Sequence, residues 1–201
     1  MPSRQIVSNI LEKDMIGEPV LLEAEYSAPL THKQRVCDPA LAGGALLDIG
    51  IYCLSFASMF FGNDIIDIST TFTKFETGVD ATDNIHFTYR DGKKAHLRTS
   101  MVNSLYNRGI IQGTHGRLEV DDINNFSSIR VYDAEGNLLY IPEIPQKING
   151  LEYELLACVR ALETGTLECE ELPHHESIQI MKQMDFLRRK WGIIYPFEIQ
   201  N

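Results

Sequence analysis

The stretch Gly43-Gly44-Ala45-Leu46-Leu47-Asp48-Ile49-Gly50-Ile51-Tyr52 holds the residue types best suited to chemistry. Asp48 and Tyr52 are four apart, so a helix would set them on one face with Cβ atoms ~6 Å apart. Asp48 would fall in the first turn, where the helix dipole favours a carboxylate. Gly44 and Gly50 carry no side-chain bulk, which leaves room for a ligand. A tyrosine, with a free pKa near ~10, can pass a proton to or from a substrate hydroxyl or carbonyl when a nearby cation lowers that value. No lysine or arginine stands within a turn of Tyr52 in the sequence, so the cation must come from elsewhere. The same residues also fit a plainer reading: a tyrosine in a core helix and an aspartate at its start. Arg35, in the loop before this helix, is a candidate contact for a polar ligand, because binding residues concentrate in loops.

Other candidates are weaker. His86 and His96 share a strand face, but the sequence offers no third ligand, so no metal site is expected. A metal-dependent hydrolase built on that pair is the least supported reading. His174-His175 stands before the last helix and reads as solvated. Cys37, Cys53, Cys158 and Cys169 show no Cys-x-x-Cys spacing, so they read as reduced thiols, three of them buried, in a cytoplasmic protein. No Gly-x-Gly-x-x-Gly occurs, so a Rossmann-type dinucleotide site cannot be built from this chain alone.

The elements that must position these residues follow from periodicity. Ile6, Val7, Ile10, Leu11 and Met15 predict a helix over residues 3–16, closed by Gly17. Residues 18–28 alternate as a half-buried strand, with Val20, Leu22, Ala24 and Tyr26 on one side and Glu23, Glu25 and Ser27 on the other. Residues 29–41 read as an irregular loop. The Gly-Gly helix runs over 45–61. Strands follow at 65–75, 82–89, 94–102, 107–113, 117–120, 128–132 and 138–141. Two helices close the chain, at 151–163, with Leu155, Leu156, Val159 and Leu162 on one stripe, and at 176–191. The 85–101 hairpin is constrained by parity. Only a three-residue loop with a left-handed Gly92 keeps Ile85, Phe87, Tyr89, Ala95 and Leu97 on one face. The opposite face then carries His86, Thr88, His96 and Arg98. Strands followed by segregated helices predict an α+β fold, an open, predominantly antiparallel sheet with helices packed on one face.

The chain has 201 residues, 44% of them apolar and 23% charged, which is the composition of one globular domain. A net charge of -10 sets the mean field against nucleic acid and anionic lipid. The longest apolar stretch, residues 46–61, falls short of a membrane span and is broken by Asp48, Gly50, Ser55 and Ser58. Neither nucleic acid nor a membrane is therefore an expected partner.

Taken in order, several stretches resemble the C-terminal domain of the glucose–fructose oxidoreductase / inositol dehydrogenase family, Gfo/Idh/MocA. They are Ile16-Gly17-Glu18, the 43–52 segment, Glu76-Thr77-Gly78-Val79-Asp80, Gly113-Thr114-His115-Gly116, Glu176-Ser177, Trp191-Gly192 and Tyr195-Pro196-Phe197. Gly50-Ile51-Tyr52-Cys53-Leu54 is similar to the branch containing dihydrodiol and xylose dehydrogenases. Many other members have His where this chain has Tyr52, and Ala42 stands where many have the first of three glycines.

The resemblance implies a two-domain enzyme whose N-terminal Rossmann domain binds NAD or NADP. That domain is absent here, so residues 1–17 read as a helix left from the junction and 18–201 as the substrate and oligomerisation domain. It implies hydride transfer between the nicotinamide and a hydroxyl of a sugar or cyclic diol. Tyr52 matches the proton-transfer residue and Asp48 the acidic residue one turn earlier. A lysine in the missing domain would supply the cation. It further implies a small polyol or sugar-like substrate and a homodimer through the sheet face. The isolated chain would hold no cofactor and be inactive. The alternative is a stand-alone ligand-binding or oligomerisation module without enzymatic activity.

Overall fold

The computed structural model describes residues 2–104 and 106–199. Its helices are α1 (Pro2–Glu12), α2 (Gln34–Cys37), α3 (Ile51–Phe61), α4 (Leu151–Thr164) and α5 (His174–Trp191). Its strands are β1 (Pro19–Ser27), β2 (Ile65–Lys74), β3 (Asp80–Tyr89), β4 (Lys94–Ser100), β5 (Asn107–Gly113), β6 (Gly116–Asp121), β7 (Ser128–Asp133) and β8 (Leu138–Tyr140). The strands form one open sheet in the order β2-β3-β4-β1-β5-β6-β7-β8. Neighbours are antiparallel except β1 and β4, which are parallel. The fold is α+β, as the run of strands between helices predicts.

Strand parity sorts the two faces. Leu22 and Ala24 of β1, Ile85 and Phe87 of β3, Leu97 of β4, Ile111 of β5, Leu118 and Val120 of β6 and Val131 of β7 are buried in one core. Helix α3 lies over β1 and β4, and α5 packs on α3. Trp191 of α5 stacks on Phe72 of β2 with ring centroids 5.0 Å apart. The other face is polar. There His86 pairs with His96, Asn84 with Arg98, and Glu23 with His96. Arg130 bridges Glu119 and Asp121 at 3.6 and 2.6 Å on the same face.

The β3–β4 hairpin has the register parity demands: Phe87 opposite Ala95 and Ile85 opposite Leu97. Tyr89 N–H donates to Lys93 O, which leaves Arg90, Asp91 and Gly92 as the loop. Gly92 has φ +89°, the left-handed value the bulge needs.

Several expectations need correction. Helix α1 ends at Glu12, four residues early: Asp14 is left-handed at φ +58°, ahead of Gly17, which is left-handed as well at φ +72°. Met15 N–H then donates back to Ile10 O. Val7 and Ile10 of α1 enter the main core. The 29–41 loop contains α2 and a 3-10 turn at Pro39–Leu41, with Asp38 accepting from Ala40 N–H. One buried thiol is found rather than three: Cys53 is buried, Cys37 and Cys169 are half-buried and Cys158 is exposed. The helical run Pro39–Phe61 does reach membrane-spanning length and hydropathy. Its Leu46, Ile49, Cys53, Leu54, Phe56 and Ala57 are buried against the sheet, which accounts for the apolar composition. The apolar stripe of α4 faces outward. Only Ala157 of that helix is buried, while Leu155 is 66% and Leu162 82% exposed.

Candidate functional site

The segment that starts the Gly-Gly helix is not a plain α-helix. Leu46–Gly50 forms a π turn that runs into α3 at Ile51. Such wide turns cost hydrogen-bond geometry and occur often at functional sites. Asp48 lies in this π turn and Tyr52 in the first turn of α3, so their four-residue spacing spans a change of helical pitch. Tyr52 is 39% exposed, in a helix whose Cys53, Leu54, Phe56 and Ala57 are buried.

Arg35 of α2 makes an ion pair with Asp48, Nη1 to Oδ1. The Asp48 side chain is mostly covered, whereas that of Arg35 is 61% exposed. Two of the candidate residues are thus joined directly, across thirteen residues of chain. The guanidinium offsets the Asp48 charge; the cation sought for Tyr52 is a separate matter.

Tyr26 joins the same site. Its ring lies 5.3 Å from that of Tyr52, tilted by 47°. Burial, then the neighbouring Tyr52, Asp122 and Asp48, push the Tyr26 phenol above its usual range. Tyr26 therefore stays protonated at neutral pH as a hydrogen-bond donor. Asp122 is held in place by Asn107, whose Nδ2 donates to its Oδ1 at 2.7 Å and to Asn124 Oδ1 at 2.6 Å. Asp122 has φ +64°, and Phe126 of the same loop has φ +50°. Two non-glycine residues in that region within five positions mark a strained loop. Sequence reading missed Tyr26, Asn107 and Asp122. Parity on β1 already placed Tyr26 beside Leu22 and Ala24, which was the available signal.

Beneath the segment lie two carboxylates that sequence reading also missed. Asp80 Oδ2 accepts from Leu46 N–H at 2.6 Å, and Asp83 sits on the inward face of β3. Both are fully buried. At Gly44, φ is +132° and a Cβ would overlap Asp80 Oδ1. The space beside the glycines is thus filled by the protein's own carboxylate. A dinucleotide's phosphates need that space empty and backbone N–H groups free, so the Gly43-Gly44 turn does not fit a nicotinamide dinucleotide.

The histidine candidates sit elsewhere. The His86 and His96 rings meet edge to face, 4.6 Å apart, on the polar face of the sheet. Burial and the His96 ring push the His86 imidazole below its usual range. Among the described residues, no three His, Cys, Asp or Glu side chains gather to hold a metal ion. His174 and His175 open α5 with side chains more than two-thirds exposed.

Comparison with known proteins adds the following. The family model of the GFO/IDH/MocA C-terminal domain matches residues 5–119. Trans-1,2-dihydrobenzene-1,2-diol dehydrogenase from Macaca fascicularis is 30% identical over 201 residues, covering 97% of this chain and 60% of that protein. The Homo sapiens enzyme is 29% identical with the same coverage. The chain thus spans about 60% of the length of these relatives. Aldose-aldose oxidoreductase from Caulobacter crescentus, solved with glycerol, superposes with a TM-score of 0.80 at 19% identity, over 93% of this chain and 57% of that one. A 3-ketoreductase from Actinomadura kijaniata, solved with NADP and TDP-benzene, gives 0.81 at 21%, over 94% and 59%. These likenesses are of fold.

Proposed function

The chain belongs to the GFO/IDH/MocA family through its C-terminal domain, and we propose that it is the substrate-binding and oligomerisation part of an NAD- or NADP-dependent oxidoreductase acting on a hydroxyl of a sugar or cyclic diol. The observation that carries this reading is the half-exposed Tyr52 ring, packed on Tyr26 and following Asp48 with its Arg35 partner. A phenol in that setting can hold or move the proton of a bound hydroxyl, the work of a general acid–base residue. Asp48 orients and offsets charge at the same place, and exposed Arg35 can reach a polar substrate from the α2 loop. Half-buried Tyr26 offers a second donor to a diol.

The sequence has no Gly-x-Gly-x-x-Gly, and the Gly43-Gly44 turn, filled by Asp80, supports placing the dinucleotide elsewhere. We assign it to a further domain of a longer protein, and the isolated chain is accordingly inactive. The outward apolar stripe of α4 is a surface that domain could cover. The polar sheet face, with His86, His96 and Arg98, is assigned to contact with a second copy of the chain.

The test begins with the coding DNA on both sides of this segment. An in-frame Gly-x-Gly-x-x-Gly segment, followed by reduction of NAD or NADP by the longer protein with sugars or trans-diols, supports the reading. A longer protein without such a segment, or one that binds a polyol tightly with no cofactor, overturns it in favour of a binding module.

A further inference from the structure

Asp80 and Asp83 present a charge problem. Both are 0% exposed. Counted as ionised carboxylates, Asp80 Oδ1 and both oxygens of Asp83 have no hydrogen-bond partner among the described residues, and neither does Thr99 Oγ1 opposite Asp83. Among the described residues, neither acid forms an ion pair with a basic side chain. Two buried like charges in contact, with no cation, cost far more than taking up a proton. One proton resolves the problem, turning one acceptor into a donor to the other.

The placement says which acid holds it. Asp80 Oδ2 accepts the Leu46 N–H at 2.6 Å, at the start of a helical run of sixteen residues, where negative charge is favoured. Asp83 has no such donor. We propose that Asp83 carries a proton and donates it in a hydrogen bond to ionised Asp80, and that this acid–carboxylate pair is the positioning device that sets the 46–52 segment and with it Asp48 and Tyr52. The role toward Tyr52 rests on the function proposed above, whereas the shared proton does not.

The segment is held at three points, and the pair supplies the middle one. Tyr195 Oη donates to Gly43 O at 2.8 Å. Asp80 holds Leu46. Gly50 lies against Thr99 Cγ2 of β4, with room for no more than a tight Cβ at 3.3 Å. The π turn lies between the second and third of these points. Burial, then the neighbouring Asp80 carboxylate, push Asp83 well above the usual carboxylate range. Burial likewise pushes Asp80 up, opposed by the Leu46 N–H.

The experiment is a pH titration of the chain followed by NMR, with the Asp carboxyl carbons, the Leu46 amide and the Tyr52 ring observed between about pH 5 and 8.5. The other titratable groups facing the pair are Cys53 of α3 and Tyr195, both pushed upward by burial and silent in that window. His86 and His96 lie on the opposite face of the sheet, and Asp83→Asn subtracts their titration. Asparagine keeps a donor toward Asp80 without a proton to lose. The expected result is a late Asp83 titration, with Leu46 and Tyr52 resonances moving at the same midpoint. In Asp83→Asn both hold their low-pH positions throughout. Ordinary acidic titration of Asp83 would overturn the shared proton. Late titration with Tyr52 unmoved would overturn the positioning role. Neither result depends on catalytic activity, so both are separable from failure of the enzymatic reading.

Discussion

The guanidinium of Arg35 is paired with the carboxylate of Asp48, joining a short helix in the 29–41 loop to the π turn that leads into α3. The pair is open to solvent on the arginine side. Exposed pairs contribute on the order of 0–1 kcal/mol, because water screens them and long side chains lose entropy. Arg35→Ala should therefore lower stability by less than ~1 kcal/mol in urea denaturation. In the longer enzyme it should raise KM for a polar substrate. A loss above ~3 kcal/mol would mark the pair as a structural buried one instead.

Tyr52→Phe removes a single hydroxyl from a ring that is 39% exposed. Stability should change by no more than ~0.5 kcal/mol, as for other surface substitutions. If Tyr52 transfers the substrate proton, kcat of the longer enzyme should fall by roughly 10²–10⁴. Unchanged kcat with intact folding would remove Tyr52 from the mechanism.

Two glycine substitutions separate backbone strain from lack of space. Gly92 has φ +89° and open surroundings, so Gly92→Ala should cost on the order of 1 kcal/mol, from backbone conformation alone. Gly44 has φ +132°, and its Cβ direction is occupied by the buried Asp80 carboxylate. Gly44→Ala should cost more than ~2 kcal/mol, because a strained backbone and a displaced buried charge add. Equal losses in parallel denaturation curves would show that Asp80 yields freely.

Strand parity made the sheet readable in advance, because side-chain alternation has a period of two and one face must be apolar. Phe87 could be opposite His96 or Ala95, and only Ala95 kept the faces pure. The helix ends were less readable. Asp14 and Gly17 are both left-handed, and the first of them, which ends the helix, is no glycine to announce it. The π turn has no local code, since Leu46–Gly50 would satisfy an α-helix equally well. Asp48 and Tyr52 could be picked out as a pair. Their surroundings could not, because Arg35, Tyr26 and Asp122 arrive from α2, β1 and the β6–β7 loop. Asp83 was open to discovery by the same parity argument, as an acid among Ile85, Phe87 and Tyr89. The α4 stripe shows the limit of periodicity, which identifies an apolar face but does not say what covers it.

The C-terminal segment offers a pH test. Arg188 of α5 is buried, and its guanidinium donates to both oxygens of Glu198, at 3.0 and 2.9 Å. Arg188, then the Tyr195 N–H, hold the Glu198 carboxyl down at about 2. A depressed carboxylate binds fewer protons in the folded than in the unfolded state, so it stabilises the fold above the unfolded value near ~4.3. That contribution is lost as pH falls from there toward about 2. Glu198→Gln should remove this part of the acid limb and lower stability at neutral pH, because among the described residues Arg188 then keeps only Asp185 as an acidic partner. Since Tyr195 N–H also donates to Glu198, at 2.8 Å, the variant should loosen the Tyr195 contact to Gly43 as well. Melting temperatures of both proteins between about pH 2 and 7 provide the check. Parallel curves would mean that the Arg188–Glu198 pair is fully screened and the C-terminal segment is held by packing alone.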